Sequence, residues 1–175
     1  MKLENDIKKV IRDIRDFPKP GIMFKDITPV FYDQKLCSDI VDGFIERLGE
    51  KPDAVVGIES RGFLFGFMMA NKLGVPFVLV RKAGKLPHKT IHIEYDLEYG
   101  TSKIEMHEDA LEKNWKVLIH DDLLATGGTA EATARLVEKS GARVTGFTFV
   151  VSLDFLNGKN KLINHTKNIT CLAHY

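Results

Sequence analysis

Two adjacent carboxylates, Asp121 and Asp122, end the apolar run Val117-Leu118-Ile119-His120 and precede Leu123-Leu124-Ala125-Thr126-Gly127-Gly128-Thr129. Gly127 and Gly128 leave the backbone N–H groups from Thr126 to Thr129 unobstructed, with the Thr126 and Thr129 hydroxyls beside them. Ala130, Ala132, Ala134, Leu136 and Val137 then predict a helix, with Thr129 as its N-cap and Gly141 as its stop. Free donors at the positive end of a helix dipole suit a phosphate. The carboxylates would repel a phosphate, so they suit hydroxyls, a cation or a basic group. A phosphate beside a vicinal diol describes a ribose 5-phosphate. Neither G-x-G-x-x-G nor G-x-x-x-x-G-K-[ST] occurs, which removes the standard dinucleotide and P-loop alternatives.

Two further turns carry charge in the same context. Glu59-Ser60-Arg61-Gly62 joins the apolar run Ala54–Ile58 to an apolar helix ended by Gly74. Its donors and the Arg61 fork suit an anion, or Glu59 and Arg61 form a structural ion pair. The strand 76–81 leads into Arg81, Lys82 and Lys85, in a turn that also holds Gly84 and Pro87. This is either a solvated turn or a lid presenting cations. Residues 90–95 and 101–106 alternate like strands around Leu97-Glu98-Tyr99-Gly100.

The elements that must position these turns follow from periodicity. Residues 3–15 and 34–50 show helical spacing of apolar side chains. The strand–helix alternation across 54–153 predicts an α/β fold, a parallel twisted sheet with helices on both faces and ligands at the C-terminal strand ends. Residues 17–30 contain Pro18, Pro20 and Gly21, which break regular structure. They also carry Phe17, Ile22, Met23 and Phe24, too apolar for a linker and suited to gripping a flat ligand. A chain of 175 residues with 44% hydrophobic and 28% charged residues is expected to form a single globular domain, 1–175. Its net charge of +1 gives no electrostatic reason for a nucleic-acid partner. The charged N-terminal segment and the absence of a membrane-length apolar run predict no membrane association and a cytoplasmic location. Cys37 and Cys171 lie far apart in sequence and are expected to be free thiols.

The acid pair and its Thr-Gly-Gly-Thr loop resemble the phosphoribosyl-diphosphate (PRPP) motif of type I phosphoribosyltransferases. His120 departs from it, standing at a normally apolar position; it is either a core histidine or a tuner of the acid pair. Phe17-Pro18-Lys19-Pro20-Gly21-Ile22-Met23-Phe24-Lys25-Asp26-Ile27-Thr28-Pro29 is similar to the hood segment of the adenine-specific branch of that family. The resemblance implies a hood over about 17–30, a flexible lid over about 82–104, and transfer of phosphoribosyl from PRPP to adenine, giving AMP. It implies that Phe24 stacks on the purine, that the Met23 backbone bonds the amino edge, and that Lys25, Arg61 and Leu156 lie near the base. Lys25 stands where many members carry arginine. Ser60, Arg61, Arg81, Lys82 and Lys85 would contact diphosphate, with Glu59 orienting Arg61. Asp121 and Asp122 would hold the ribose hydroxyls directly or beside Mg²⁺ carried by PRPP, Ala125, Thr126, Gly127, Gly128 and Thr129 would hold the 5-phosphate, and Glu98 would transfer a proton. A homodimer is implied by the family alone. Two readings stay open beside it: a same-fold transferase for guanine, hypoxanthine or orotate, and a PRPP-binding regulator without catalysis.

Overall fold

The structure is a computed structural model and describes residues 2–96 and 100–175. In chain order the helices are α1 (Lys2–Val10), α2 (Gln34–Ile45), α3 (Gly62–Leu73), α4 (Gly128–Lys139) and α5 (Lys159–Leu162). The strands are β1 (Arg12–Arg15), β2 (Met23–Asp26), β3 (Ala54–Ile58), β4 (Phe77–Lys82), β5 (Thr90–Asp96), β6 (Thr101–His107), β7 (Lys116–Leu124), β8 (Arg143–Ser152) and β9 (Ile169–His174).

Seven strands form one sheet in the order β5-β6-β4-β3-β7-β8-β9. From β4 to β9 the pairings are parallel, as β-α alternation requires. The sheet is nevertheless mixed. β5 and β6 form an antiparallel hairpin, and β6 runs antiparallel to β4 through Arg81↔Glu105 and Lys82↔Ile104. The short β5–β6 connection requires that pair to be antiparallel. Much of the expected lid, 82–104, is therefore sheet edge.

Each face of the sheet is covered by helices. On one, Ile119, Phe147 and Phe149 pack with Leu136 and Val137 of α4. On the other, Val55 and Leu118 pack with Phe44 of α2 and with Phe65 and Met69 of α3. The helix expected over 3–15 stops at Val10. Arg12–Arg15 instead pairs antiparallel with β2, from Arg12↔Asp26 to Arg15↔Met23. Ile14 satisfied the helical spacing, but its segment is exposed and is held by this backbone ladder rather than by an apolar stripe. β7 also runs further than its apolar run suggested, carrying Asp121 and Asp122 inside the strand.

His120 resolves into a core residue. It is fully buried, its Nδ1 lies 3.0 Å from Thr148 Oγ1, and its ring meets Phe44 and Phe65 edge-on at 5.3 and 6.4 Å. Burial holds the imidazole down to about 3 from its ordinary 6.5. Between those values the unfolded chain takes up a proton that the native site refuses. Stability therefore falls as pH falls from 6.5 towards 3, by up to about 1.4 kcal/mol per pH unit from this group. Replacing His120→Val should flatten that part of the melting-temperature profile. Parallel acid limbs for both proteins in scanning calorimetry would refute the assignment.

Candidate active site

α4 begins at Gly128, with Gly127 as its N-cap at φ 78°, the left-handed region that glycine enters without a Cβ penalty. Thr129 is thus not the cap but a first-turn residue. Its Oγ1 lies 3.1 Å from the Tyr95 hydroxyl of β5, and its carbonyl accepts the Thr133 hydroxyl at 2.8 Å. The loop 125–130 wraps an open cavity of about 400 Å³ that Asp121, Leu124, Phe149 and Lys161 also line. Its N–H groups and helix terminus meet the requirement for an anion that the sequence set out.

The acid pair lies at the rim. Asp122 is buried, and its Oδ2 sits 2.8 Å from Arg61 Nε. That approach lacks hydrogen-bond alignment, so Oδ2 is charge-paired but still open as an acceptor. The Asp122 N–H donates to Asp121 Oδ1 at 2.8 Å. Burial raises the Asp121 carboxyl well above its ordinary range, and the Asp122 charge raises it further. Asp122 is raised by burial too, but Arg61 opposes the shift. Gly62 lets α3 start directly against β7, since a Cβ there would meet the His120 carbonyl oxygen at 2.8 Å and Asp121 Oδ1 at 3.0 Å. The turn at Ser60 and Arg61 is thereby held beside the acids.

The structure pairs Glu59 differently from the expectation. Glu59 holds Arg81, with Nε at 3.1 Å, and accepts the Lys82 N–H at 2.9 Å, while Arg61 turns to Asp122. Burial raises the Glu59 carboxyl, but these donors overcome it and leave the group below its usual value. Arg81 is therefore the brace of the basic turn, and its Nη1 also donates to the Lys85 carbonyl at 3.3 Å. Lys82 and Lys85 are exposed and have no ion pair among the described residues. Buried Glu105 shapes the same turn by accepting the N–H groups of Lys85 and Leu86 at 3.0 and 3.1 Å.

The hood reaches the same place. Phe24 packs edge-on against Phe17 at 5.0 Å, and the Arg61 guanidinium lies over the Phe24 ring at 5.3 Å. Met23 is exposed on β2. The Lys25 side chain points elsewhere: its ammonium lies 2.6 Å from Asp13 Oδ1 and 3.8 Å from the Tyr175 ring centroid. A lysine at this position satisfies a hairpin and a cation–π contact rather than reaching a base. Leu156 is half-buried in a short 3-10 helix, Asp154–Leu156, after β8. Glu98 lies outside the described residues. Tyr95, Glu105 and Lys161 are additions that sequence reading missed. Tyr95 and Glu105 sit in ordinary alternating strands, and Lys161 sits in a short polar helix with no motif to flag it.

Magnesium takes one or two carboxylates, keeps its waters and binds substrate phosphate. Adjacent acids with an open buried acceptor beside an anion cradle fit that requirement. No group of three or more metal-binding side chains occurs among the described residues.

A sheet ending in an acid pair, a Gly-rich loop at a helix N-terminus and a second polar turn has the donors and acceptors that a sugar-phosphate transferase requires. The pattern of the phosphoribosyl transferase domain matches residues 32–172, and the chain belongs to that family. Within it, the chain groups with the adenine phosphoribosyltransferases. It is 51% identical to the adenine phosphoribosyltransferase of Cytophaga hutchinsonii over 174 residues, covering 99% of this chain and 96% of that one. The adenine phosphoribosyltransferase of Rhodothermus marinus superposes with a TM-score of 0.94 at 47% identity, over 99% of both chains. The Saccharomyces cerevisiae enzyme, complexed with D-2,5-dideoxy-2,5-imino-altritol 1,6-bisphosphate and adenine, superposes with a TM-score of 0.91 at 39% identity, over 98% of both chains.

Proposed function

We propose that this enzyme joins adenine to PRPP, giving AMP and diphosphate, as a purine-salvage transferase. The observation that carries this reading is Arg61. One guanidinium pairs with Asp122 at the ribose acids and covers Phe24 of the hood, so the base site adjoins the sugar site.

Displacement at the anomeric carbon passes through an oxocarbenium-like state, so the protein must hold the sugar, steady the leaving charge and align the base. The 125–129 loop holds the 5-phosphate. Asp121 and Asp122 accept the ribose hydroxyls. The Ser60 and Arg61 turn, with Lys82 and Lys85 of the basic turn, receives diphosphate, and the Glu59–Arg81 pair sets where that turn points. Asp121 and Asp122 would face any magnesium carried in by PRPP, and the ion would supply charge neutralisation for the leaving group. Phe24 stacks on adenine, the Met23 backbone reads its amino edge, and Leu156 closes the far side. Glu98 accepts the proton that adenine releases on attack. Closure of the lid excludes water from the sugar cation.

The test is an assay of single bases with PRPP and magnesium, followed by diphosphate release. Turnover with adenine alone is the expected result. Turnover with guanine or hypoxanthine alone, or PRPP binding without turnover for any base, would overturn it.

The enzyme acts as a homodimer in the cytoplasm. Leu64, Phe67 and Met68 of α3 are 48%, 59% and 37% exposed, and Leu79 of β4 adds to the same apolar face around Phe77. Exposed apolar area of this kind is typical of subunit contacts. A second copy of the chain is its occupant, consistent with the family. Free Cys37 and Cys171 fit a reducing compartment. Phe67→Asp is expected to raise the dimer dissociation constant by about 30-fold, roughly 2 kcal/mol for a central aromatic anchor. Sedimentation should then show the 19.7 kDa chain where the parent sediments at twice that mass. An unchanged dimer would place the contact elsewhere.

A further inference from the structure

The phosphate loop is electrically incomplete. A phosphate monoester carries roughly −1.5 to −2 charge at neutral pH. The loop offers only neutral N–H and hydroxyl donors, and the charge of its own strand that lines the cavity is the repelling Asp121. Among the described residues, Lys161 is the one cationic side chain lining that cavity. We propose that Lys161 is a substrate-binding residue that balances the charge of the 5-phosphate, and that the Gly127–Gly158 backbone contact delivers it. The proposal rests on the transferase reading above and extends it to a residue outside the PRPP motif.

Three observations converge on it. First, α5 is docked backbone-to-backbone on the phosphate loop. A Cβ on Gly127 would overlap the Gly158 carbonyl oxygen, and a Cβ on Gly158 would overlap that of Ala125. Side chains at either position would force the two segments apart. Second, Leu162 is fully buried in the core beneath α4, which anchors the helix one residue beyond the lysine. Third, the two lysines of α5 differ in their partners. Lys159 pairs with Asp154 at 3.7 Å, whereas Lys161 forms no ion pair among the described residues. Lys161 also borders an adjoining cavity of about 360 Å³ with Glu94, Glu131 and Arg135, so the residue lines both spaces. An incoming phosphate is the stronger partner because it adds concentrated charge in a cradle already fitted with donors.

Ribose 5-phosphate is the probe, titrated calorimetrically into the full chain. Lys161→Met should weaken it about 10-fold, the scale of one charge-assisted contact at a partly solvated site. Lys161→Arg should recover most of the loss, and Lys159→Met should change nothing. In steady state, Lys161→Met should raise KM for PRPP by a similar factor, with KM for adenine and the melting temperature unchanged. A merely structural lysine would not give that split. Parental affinity of Lys161→Met for ribose 5-phosphate would overturn the inference, even with adenine turnover intact. Failure of the parent to bind this probe would overturn it as well. Conversely, the 10-fold loss in a protein that fails to use adenine would sustain the lysine and defeat only the choice of base.

Discussion

Asp122→Asn is expected to lower kcat/KM for PRPP by about 10³-fold while leaving the fold at least as stable as before. Asp122 is nearly inaccessible, and its Oδ2 is the open acceptor facing Arg61. An amide presents donors where ribose hydroxyls need an acceptor, and it removes the charge that holds Arg61 at 2.8 Å. Losing one preorganised charged group at a reacting centre costs about 10²–10³, and misplacing Arg61 adds to it. Stability moves the other way because burial raises both carboxyls, so the folded state bears two uncomfortable acids at neutral pH. Removing one relieves the other. The same coupling has a pH signature. Asp121 gains a proton above the ordinary carboxylate range, so PRPP affinity should fall as pH falls through that raised value. In Asp122→Asn the midpoint should move to lower pH, because the neighbouring charge is one cause of the shift. Kinetics and calorimetry on the variant decide the matter; an unaltered kcat/KM would remove Asp122 from the ribose site.

Glu98→Gln should cut kcat by about 10²-fold with the dissociation constant of PRPP unchanged. General-base assistance contributes about 10²–10⁴, and glutamine keeps the shape while losing the proton acceptor. An unperturbed glutamate is ionised at neutral pH, which suits accepting a proton rather than donating one. Pre-steady-state turnover with a separate PRPP titration separates chemistry from binding. Weakened PRPP with undiminished turnover would transfer Glu98 to a binding role.

Local sequence sufficed for the parts whose physics is local. Residues 117–139 announce a strand, an acid pair and a Gly-rich turn into a helix, because small residues, paired carboxylates and a helix start are contiguous in the chain. The parallel core followed from β-α alternation for the same reason. The three-dimensional structure alone decided which charge meets which. Glu59 and Arg61 are neighbours in sequence yet diverge, one to Arg81 on β4 and the other to Asp122 on β7, because adjacent side chains on a turn point apart and strand order chooses their partners. Ile14 obeyed a helical period and became part of a hairpin, since β2 offered a backbone ladder that an exposed last helical turn could not match. Lys25 was drawn to Asp13, its neighbour across the hairpin, and to Tyr175 at the far end of the sequence. Lys161 lines the cavity of the 125–130 loop only because Gly127 and Gly158, distant in sequence, lack the side chains that would hold their backbones apart.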